Sequence, residues 1–306
     1  MQITGSFTNF FDTTMLPAIT GSVWEAFDAK PKQGLMLLGN ESTQKKIIQK
    51  AGVTGVGLPA LVQEGADTDT DTFVQLPTKT YRIAKYGLGI GASRELVADD
   101  EHGIITQRSE MLGESIAESI EIQAFSVLNN GFDETNFPGP DGKALFSLTH
   151  PAYKAGGVRI NLLSSAADLD VASLELALID YENMVDHRGF FQRLPTPRLL
   201  VSPTNRFNAY EITKSNQRSD TANNAVNAFK YGENGNIEPM VSAYITDPDS
   251  WFLVAPKKNG MLWVWRERPY TAKDYFEKSE TGVVYLRYRA DFGFHSDRGV
   301  YGTPGA

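Results

Sequence analysis

Thr281-Gly-Val-Val-Tyr-Leu-Arg-Tyr-Arg-Ala-Asp-Phe-Gly-Phe294 is the stretch on which the fold turns. Leu286, Tyr288, Ala290, Phe292 and Phe294 fall on one side of it, and Tyr285, Arg287, Arg289 and Asp291 on the other. A period of two over that length reads as a strand with one buried face. At 3.3 Å per residue, 281–293 extends about 43 Å. Upstream, Ile105, Leu112, Ile116, Ile120, Ala124 and Val127 recur at helical spacing. That predicts one helix over 103–129, stopped by Asn130-Gly131 because glycine tolerates the left-handed cap. At 1.5 Å per residue the helix runs about 40 Å. Both exceed usual element lengths. A helix and a strand of matching length make an elongated plate with a large surface for its core. Neighbours usually stabilise such a shape, so the pattern points to assembly.

Outward from that pair, Arg82, Ala84, Tyr86, Leu88 and Ile90 share a face of a strand within 80–94. Residues 51–80 carry two apolar patches, Leu58–Val62 and Phe73–Leu76, around the polar run 67–72. Strand, polar tip, strand is a hairpin pattern, long for one that packs on its own domain. Residues 1–50 read as an extended arm with short helical pieces. Lys45, Lys46 and Lys50 beside Ile47 and Ile48 read as a solvated helix face. A helix is expected over about 170–187, capped by Asp168 or Asp170, with Leu174, Ala177, Leu178, Tyr181 and Val185 as its stripe. A strand at Arg198–Ser202, a helix over 204–214 and a polar loop over 215–236 follow. Strands at Met240–Ile245, Trp251–Ala255 and Met261–Arg266 complete the order.

Composition narrows the function. The 306 residues suit about two domains. With 41% hydrophobic and 22% charged residues, the chain can build a core and is no disordered protein. Its 29 basic and 37 acidic residues leave a net charge of −8, poor for gripping nucleic-acid phosphates over the whole surface. No apolar run is long enough for a membrane span. The start, MQITGSFTNFFDTT, lacks the basic and apolar regions of a secretory signal. There are no cysteines, which removes disulfides, thiol catalysis, zinc thiolates and iron–sulfur clusters together. That fits a reducing compartment.

Several stretches invite chemistry. Gly87-Leu-Gly-Ile-Gly-Ala92 has the spacing of a dinucleotide fingerprint, which needs a tight turn from strand into helix. Here the alternation continues through the glycines, so a bend or a close backbone approach is the better reading. Asp67-Thr-Asp-Thr-Asp71 has the start of an EF-hand loop, but Thr72 and Thr78 stand where glycine and glutamate are needed. A polar hairpin tip fits better, with a weak cation site between subunits as the alternative. The four histidines, His102, His150, His187 and His295, form no pair at metal-ligand spacing. His150 before Pro151 reads as a turn residue, with a Ser-His-Asp site assembled from distant positions as the alternative. Trp263 and Trp265 share a strand face and suit packing better than base stacking. Arg266 and Arg268 beside them can pair with neighbouring carboxylates. Glu101, Glu110, Glu114, Glu118 and Glu121 make the long helix acidic. This is either a solvated face or a wall to which DNA does not adhere. No catalytic, cofactor-binding or metal-binding residue is assigned.

The order of arm, long hairpin, spine helix, compact α/β insertion and long returning strand resembles the major capsid protein of tailed phages. Ser93-Arg-Glu-Leu96 followed by Asp99-Asp100 and Gly103 resembles the Mu-like major head subunits. So do Asp141-Gly-Lys-Ala-Leu-Phe146 with His150-Pro151, Asp247-Pro-Asp-Ser-Trp-Phe-Leu253, and the ending Phe292–Gly302. The likeness covers most of 50–302. It implies an α+β fold of the Hong Kong 97 type. Its parts would be an N-terminal arm (1–50), an extended loop (51–80), a peripheral domain (81–165 and 270–306, with the spine helix 103–129) and an axial domain (166–269). It further implies a non-enzymatic structural subunit whose pentamers and hexamers close into an icosahedral head around double-stranded DNA, contacted non-specifically. The subunit would be a virion component assembled in the bacterial cytoplasm, with a portal, a separate scaffold or protease, room for a decoration protein, and no membrane.

Some relatives carry a fused scaffold segment before the arm; here the loop pattern begins near 51, which implies a separate scaffold or a removed one. Some relatives cross-link through a lysine in the loop; 51–78 contains none, and Lys50 and Lys79 only flank it. Burial and electrostatics are therefore expected to hold the shell. Leu58, Leu61, Val62, Phe73, Val74 and Leu76 are the candidate subunit contacts. Two alternatives remain: an encapsulin-like compartment with the same fold, and a soluble hydrolase using His150 and scattered carboxylates.

Overall fold

The computed structural model describes residues 7–65, 67–68, 70–100, 103–217, 226–231, 236–256 and 259–306. His102, Glu101, Asp69 and most of the 215–236 loop lie outside these.

The arm is more helical than the extended chain with short helical pieces that was expected. Helix α1 (Phe7–Phe10), a π-helical turn (Phe11–Met15) and α2 (Leu16–Ala29) run on without a break. Phe7, Phe11, Met15, Ile19, Val23 and Phe27 are all buried and stand four residues apart. In an ideal α-helix each step of four overshoots a turn by about 40°. The wider π turn takes up part of that drift and keeps the stripe facing inward. Pro17, just after the π turn, has no N–H to continue the ladder that the Leu16 N–H makes to Phe11 O. A short α3 (Gln33–Leu37) leads into β1 (Gly39–Ser42) and β2 (Ile47–Val53). Lys50 therefore lies on a strand, not a helix face, and pairs with Glu41 of β1.

Next come β3 (Gln75–Arg82), β4 (Ala84–Ser93), α4 (Arg94–Ala98) and the spine helix α5 (Ile104–Asn129). Gly103 caps α5 at φ 68°, and Asp100 accepts from Ile104 N at 2.8 Å. After a long excursion holding β5 (His150–Pro151) and β6 (Val158–Arg159) comes α6 (Val171–Glu182). Asp170 caps it in a capping box with Ser173, and it stops five residues short of the expected end. Strand β7 (Arg198–Val201), α7 (Arg206–Lys214), α8 (Ala228–Tyr231), β8 (Pro239–Val241) and β9 (Trp251–Val254) complete the insertion. The chain returns through β10 (Met261–Phe276), β11 (Thr281–Phe294) and β12 (Val300–Thr303).

Two four-stranded sheets organise the molecule. The first has the order β1-β10-β11-β4, antiparallel except for the β1–β10 pair. Its inner face carries Trp263, Trp265, Leu286, Tyr288 and Ala290 against α2 and α5. The second has the order β12-β9-β7-β8. Leu200, Phe252, Val254 and Val300 point into that same core, while Leu199, Val201, Trp251 and Leu253 point into a second one with α6 and α7. β10 runs ten residues beyond the expected strand end. Bulges on either side of Glu267 absorb the charged run and Pro269, which a regular ladder would reject. The proposed domain boundary at 269/270 falls inside this strand.

The glycines of the fingerprint-like stretch sit mid-strand in β4. A Cβ at Gly89 would lie 2.4 Å from the Tyr285 ring, and one at Gly87 would lie 2.9 Å from Arg287. They admit the side chains of β11, and Arg287 in turn stacks over Tyr285 at 4.3 Å. The strand passes straight through, so no phosphate-binding turn forms.

Candidate assembly surface

The hairpin of β2 and β3 pairs from Ile47↔Arg82 to Val53↔Gln75. Its strands leave out the first apolar patch, Leu58–Val62, and take up only Gln75 and Leu76 of the second. Among the described residues, 54–74 have no regular strand or helix. The base of this loop is nonetheless fixed. Val74 O accepts from Thr54 N at 3.0 Å, and Val74 N donates back to Thr54 Oγ1 at 3.0 Å. Gly57 N donates to Asp71 Oδ2 at 2.8 Å, and the same carboxylate meets the Arg188 guanidinium. The Gly57 N–H, and after it Arg188, hold Asp71 below the usual carboxylate range. Thr72 O accepts from Arg188 Nη2 at 2.9 Å and from Lys154 Nζ at 3.0 Å. Polar side chains of the body thus grip the sides of the loop.

Its apolar side chains are left outside. Leu58 is 76% exposed, Leu61 98% and Phe73 73%; Val62 and Val74 are exposed too. Of the six candidate contacts only Leu76 turns inward, half-buried in β3 beside Gly52. Val56, 81% exposed, belongs with the group and was missed. Its flanking Gly55 and Gly57 disguised it as a turn residue. The tip is acidic as well as apolar, with Glu64, Asp67 and Asp71 and no lysine or arginine over 51–78. Asp71, already engaged by Gly57 and Arg188, is no free ligand of the EF-hand-like run. Among the described residues no group of three acidic or histidine side chains could hold a metal.

Between the loop base and the body lies a cavity of about 750 Å³, lined among others by Gly52, Leu76, His150, His187, His295 and Asp297. Burial pushes His187 and His295 down. His150 differs. It is 1% exposed, with Nδ1 2.7 Å from Asp141 Oδ2 and Nε2 3.3 Å from Leu145 O. A carbonyl and a carboxylate only accept, so both ring nitrogens carry protons. Burial alone would lower His150 and raise Asp141. The bond and charge between them, helped at His150 by the Asp297 carboxylate, outweigh it, so His150 ends above and Asp141 below its ordinary value. Arg159 and Asp297 form a second buried pair at 2.8 Å. With both nitrogens committed, His150 has none left to take a proton from a serine, and the hydrolase reading loses its base.

The remaining expectations concern charge and aromatics. Trp263 and Trp265 are core residues, ring centroids 5.0 Å apart. Glu110, Glu114 and Glu118 of α5 are exposed, but Glu121 is buried and leaves the acidic wall. Arg289 pairs with Glu267 across β10 and β11.

Among the described residues no helix is long and apolar enough to cross a membrane.

Comparison with known proteins agrees with this geometry. A family model described as phage capsid protein matches residues 76–302. Among solved structures, the capsid of the cyanophage P-SCSP1u is 11% identical, with 90% of this chain and 89% of that chain covered and a TM-score of 0.60. The capsid of Ralstonia phage GP4 is 14% identical over 88% and 87%, with a TM-score of 0.56. A virus-like particle from Pyrococcus furiosus is 10% identical over 95% and 100%, with a TM-score of 0.55. At these identities the likeness speaks for the fold alone. A curated rice protein (Oryza sativa subsp. japonica), a 4-coumarate–CoA ligase-like protein, is 29% identical over 151 residues, or 49% of this chain. The chain spans only 23% of the length of that relative.

Proposed function

The chain belongs to the phage capsid protein family and is a shell protein of the Hong Kong 97-type fold; on that premise we propose that its copies form the pentamers and hexamers of an icosahedral head around double-stranded DNA. As a family member it is a virion component and a structural protein. The finer reading is carried by one observation. A chain with a filled core leaves Leu58, Leu61 and Phe73 in water on a loop whose polar base is pinned. Burying each such side chain is worth about 1.5–3 kcal/mol, and only another molecule can cover them here. An adjacent copy is the natural cover in a closed shell, where identical interfaces repeat by symmetry.

In this reading 51–80 is the extended loop over the next subunit, Leu58, Leu61, Val62, Phe73 and Val74 are the contact, and Leu76, turned inward, supports it from the loop base. The arm occupies 1–50, the peripheral domain 81–165 and 270–306, and the axial domain 166–269. Because β10 pairs with β11 along its whole length, the strand from 261 onward is better grouped with the peripheral sheet. The Asp141-to-Pro151 motif supports placement with the Mu-like head subunits. A portal, a scaffold or protease, and an outer decoration protein are the expected partners, with assembly in the host cytoplasm. The acidic balance keeps packaged DNA from adhering to the wall. Replacing Phe73 and Val74 together by Asp is expected to abolish closed shells while leaving soluble subunits. Shells at normal yield would count against the loop contact.

The second reading, an encapsulin-like compartment, is favoured by the likeness to the Pyrococcus furiosus particle. The contents of purified shells separate the two: packaged DNA supports a head, and a single co-purifying cargo protein supports a compartment.

A further inference from the structure

The N-terminal helices approach the spine helix closely at two glycines, once backbone to backbone and once backbone to a methyl group. A Cβ at Gly113 of α5 would lie 2.2 Å from the Val23 carbonyl oxygen of α2. A Cβ at Gly34 of α3 would lie 2.3 Å from that of Ala124 in α5. Along α5, between Gly113 and Ala124, stands Glu121, 2% exposed in an otherwise apolar seam. Its Oε2 accepts from Gly34 N at 2.7 Å, and the Gln33 N–H also donates to the carboxylate. Its Oε1 is buried and has no partner.

The charges around it do not neutralise it. Among the described residues Lys32 is the cation that favours ionised Glu121, and its ammonium bonds Asp28 at 2.7 Å. Lys30 is 3.6 Å from Glu114 on the exposed side of α5. Glu118 lies one turn back, and the Tyr244 phenol, stacked through its ring on Phe125, is pushed up by burial and by Glu118 and Glu121. Burial likewise pushes the Glu121 carboxyl up, against the two N–H groups and Lys32. An ionised carboxylate with one oxygen dry and unpaired opposes docking of the segment that buries it.

We propose that Glu121 is the latch of a releasable strap: protonated, it seats residues 16–37 on the spine helix, and ionised, it loosens them. The sign follows from linkage. The docked state holds the proton more tightly than the released one, where Glu121 returns to water and its ordinary value. Docking is therefore strongest below that ordinary value, near pH 4.3, and is weakened as pH rises toward and through the docked value. At neutral pH the strap is held by its apolar stripe against the latch, poised to leave.

The inference goes beyond the shell reading, because it concerns the chain before assembly, and the soluble full-length protein tests it whether or not shells form. Amide hydrogen exchange, corrected for intrinsic chemical rates, gives the opening constant of 16–37 between pH 4.5 and 8. The expected result is a rise with pH of up to about tenfold per unit and then a plateau, confined to the strap. The β11 amides should stay flat. Glu121→Gln should remove the rise, and Glu118→Gln, on the exposed face, should keep it. Strap opening that is flat in the wild-type chain, that rises equally in β11, or that keeps its slope in Glu121→Gln would overturn the proposal. Should Glu121→Gln fail to fold, the wild-type comparison of strap with β11 still decides it.

Discussion

At Asp141 and His150 two residues nine positions apart close a loop in the excursion between α5 and α6, and both are ionised there. Removing one member strands the other in a dry site, so His150→Ala is expected to cost about 3–5 kcal/mol. The pair also sets a pH profile. Asp141, lowered on folding, supports the fold above its ordinary value and loses that support as pH falls through its depressed one. His150, raised on folding, supports it fully below its ordinary value and loses that support as pH rises through its elevated one. Stability from the pair is therefore greatest between roughly pH 3.9 and 6.5 and declines on the alkaline side. Urea midpoints from pH 5 to 9 should fall less steeply in His150→Ala than in the wild-type chain. A second residue-scale test is Gly113→Ala. Its methyl would meet the Val23 carbonyl, a backbone atom that cannot swing aside, so a loss of about 1–3 kcal/mol in a denaturant titration is expected. The sequence displayed the Asp141-to-Pro151 motif but not its meaning, since a pairing across nine residues has no period. Glu121 was legible and misread. Ala117, Ala124, Phe125 and Leu128 stand three, four and seven residues from it, which puts it on the buried stripe.

Among the elements, those with long unbroken periods were read closely. β11 runs Thr281–Phe294 as its alternation implies, and α5 begins one residue inside the expected start. Where the period was unusual or interrupted, reading failed for a physical reason. The arm repeats every four residues, a spacing that fits a strand face as well as a helix but drifts around an ideal α-helix over six such positions, and its π turn takes up part of that drift. The second half of β10 hid behind a bulge and Pro269. The apolar patches of the extended loop looked like strands because hydrophobicity marks what will be covered, not by which chain. The loop base offers a test at this scale. Arg188, almost fully buried, grips both Asp71 and Thr72 O. Arg188→Ala should free the loop and raise the rate of limited proteolysis within 58–72 in the soluble subunit. The same variant should leave the α5 and β11 fragments as protected as before, and an unchanged cleavage rate would assign the grip to Lys154 and Thr54 instead.

Taken whole, the molecule leaves apolar side chains exposed at many places, and the loop over 54–74 carries a group of six of them, Val56, Leu58, Leu61, Val62, Phe73 and Val74. The first sheet has helices on one face, and on the other Tyr81 and Ile83 cover Leu262 and Val264; the second sheet is covered on both faces. Such a subunit is stabilised by its copies, and its assembly should be steeply dependent on concentration and on the loop side chains. Electron cryo-microscopy of the purified full-length chain tests this most directly. The account predicts closed shells in which residues 54–74 of each copy lie buried against an adjacent copy, with Leu58, Leu61 and Phe73 in the contact. A population of single, rounded molecules, each with that loop packed against its own body, would contradict it.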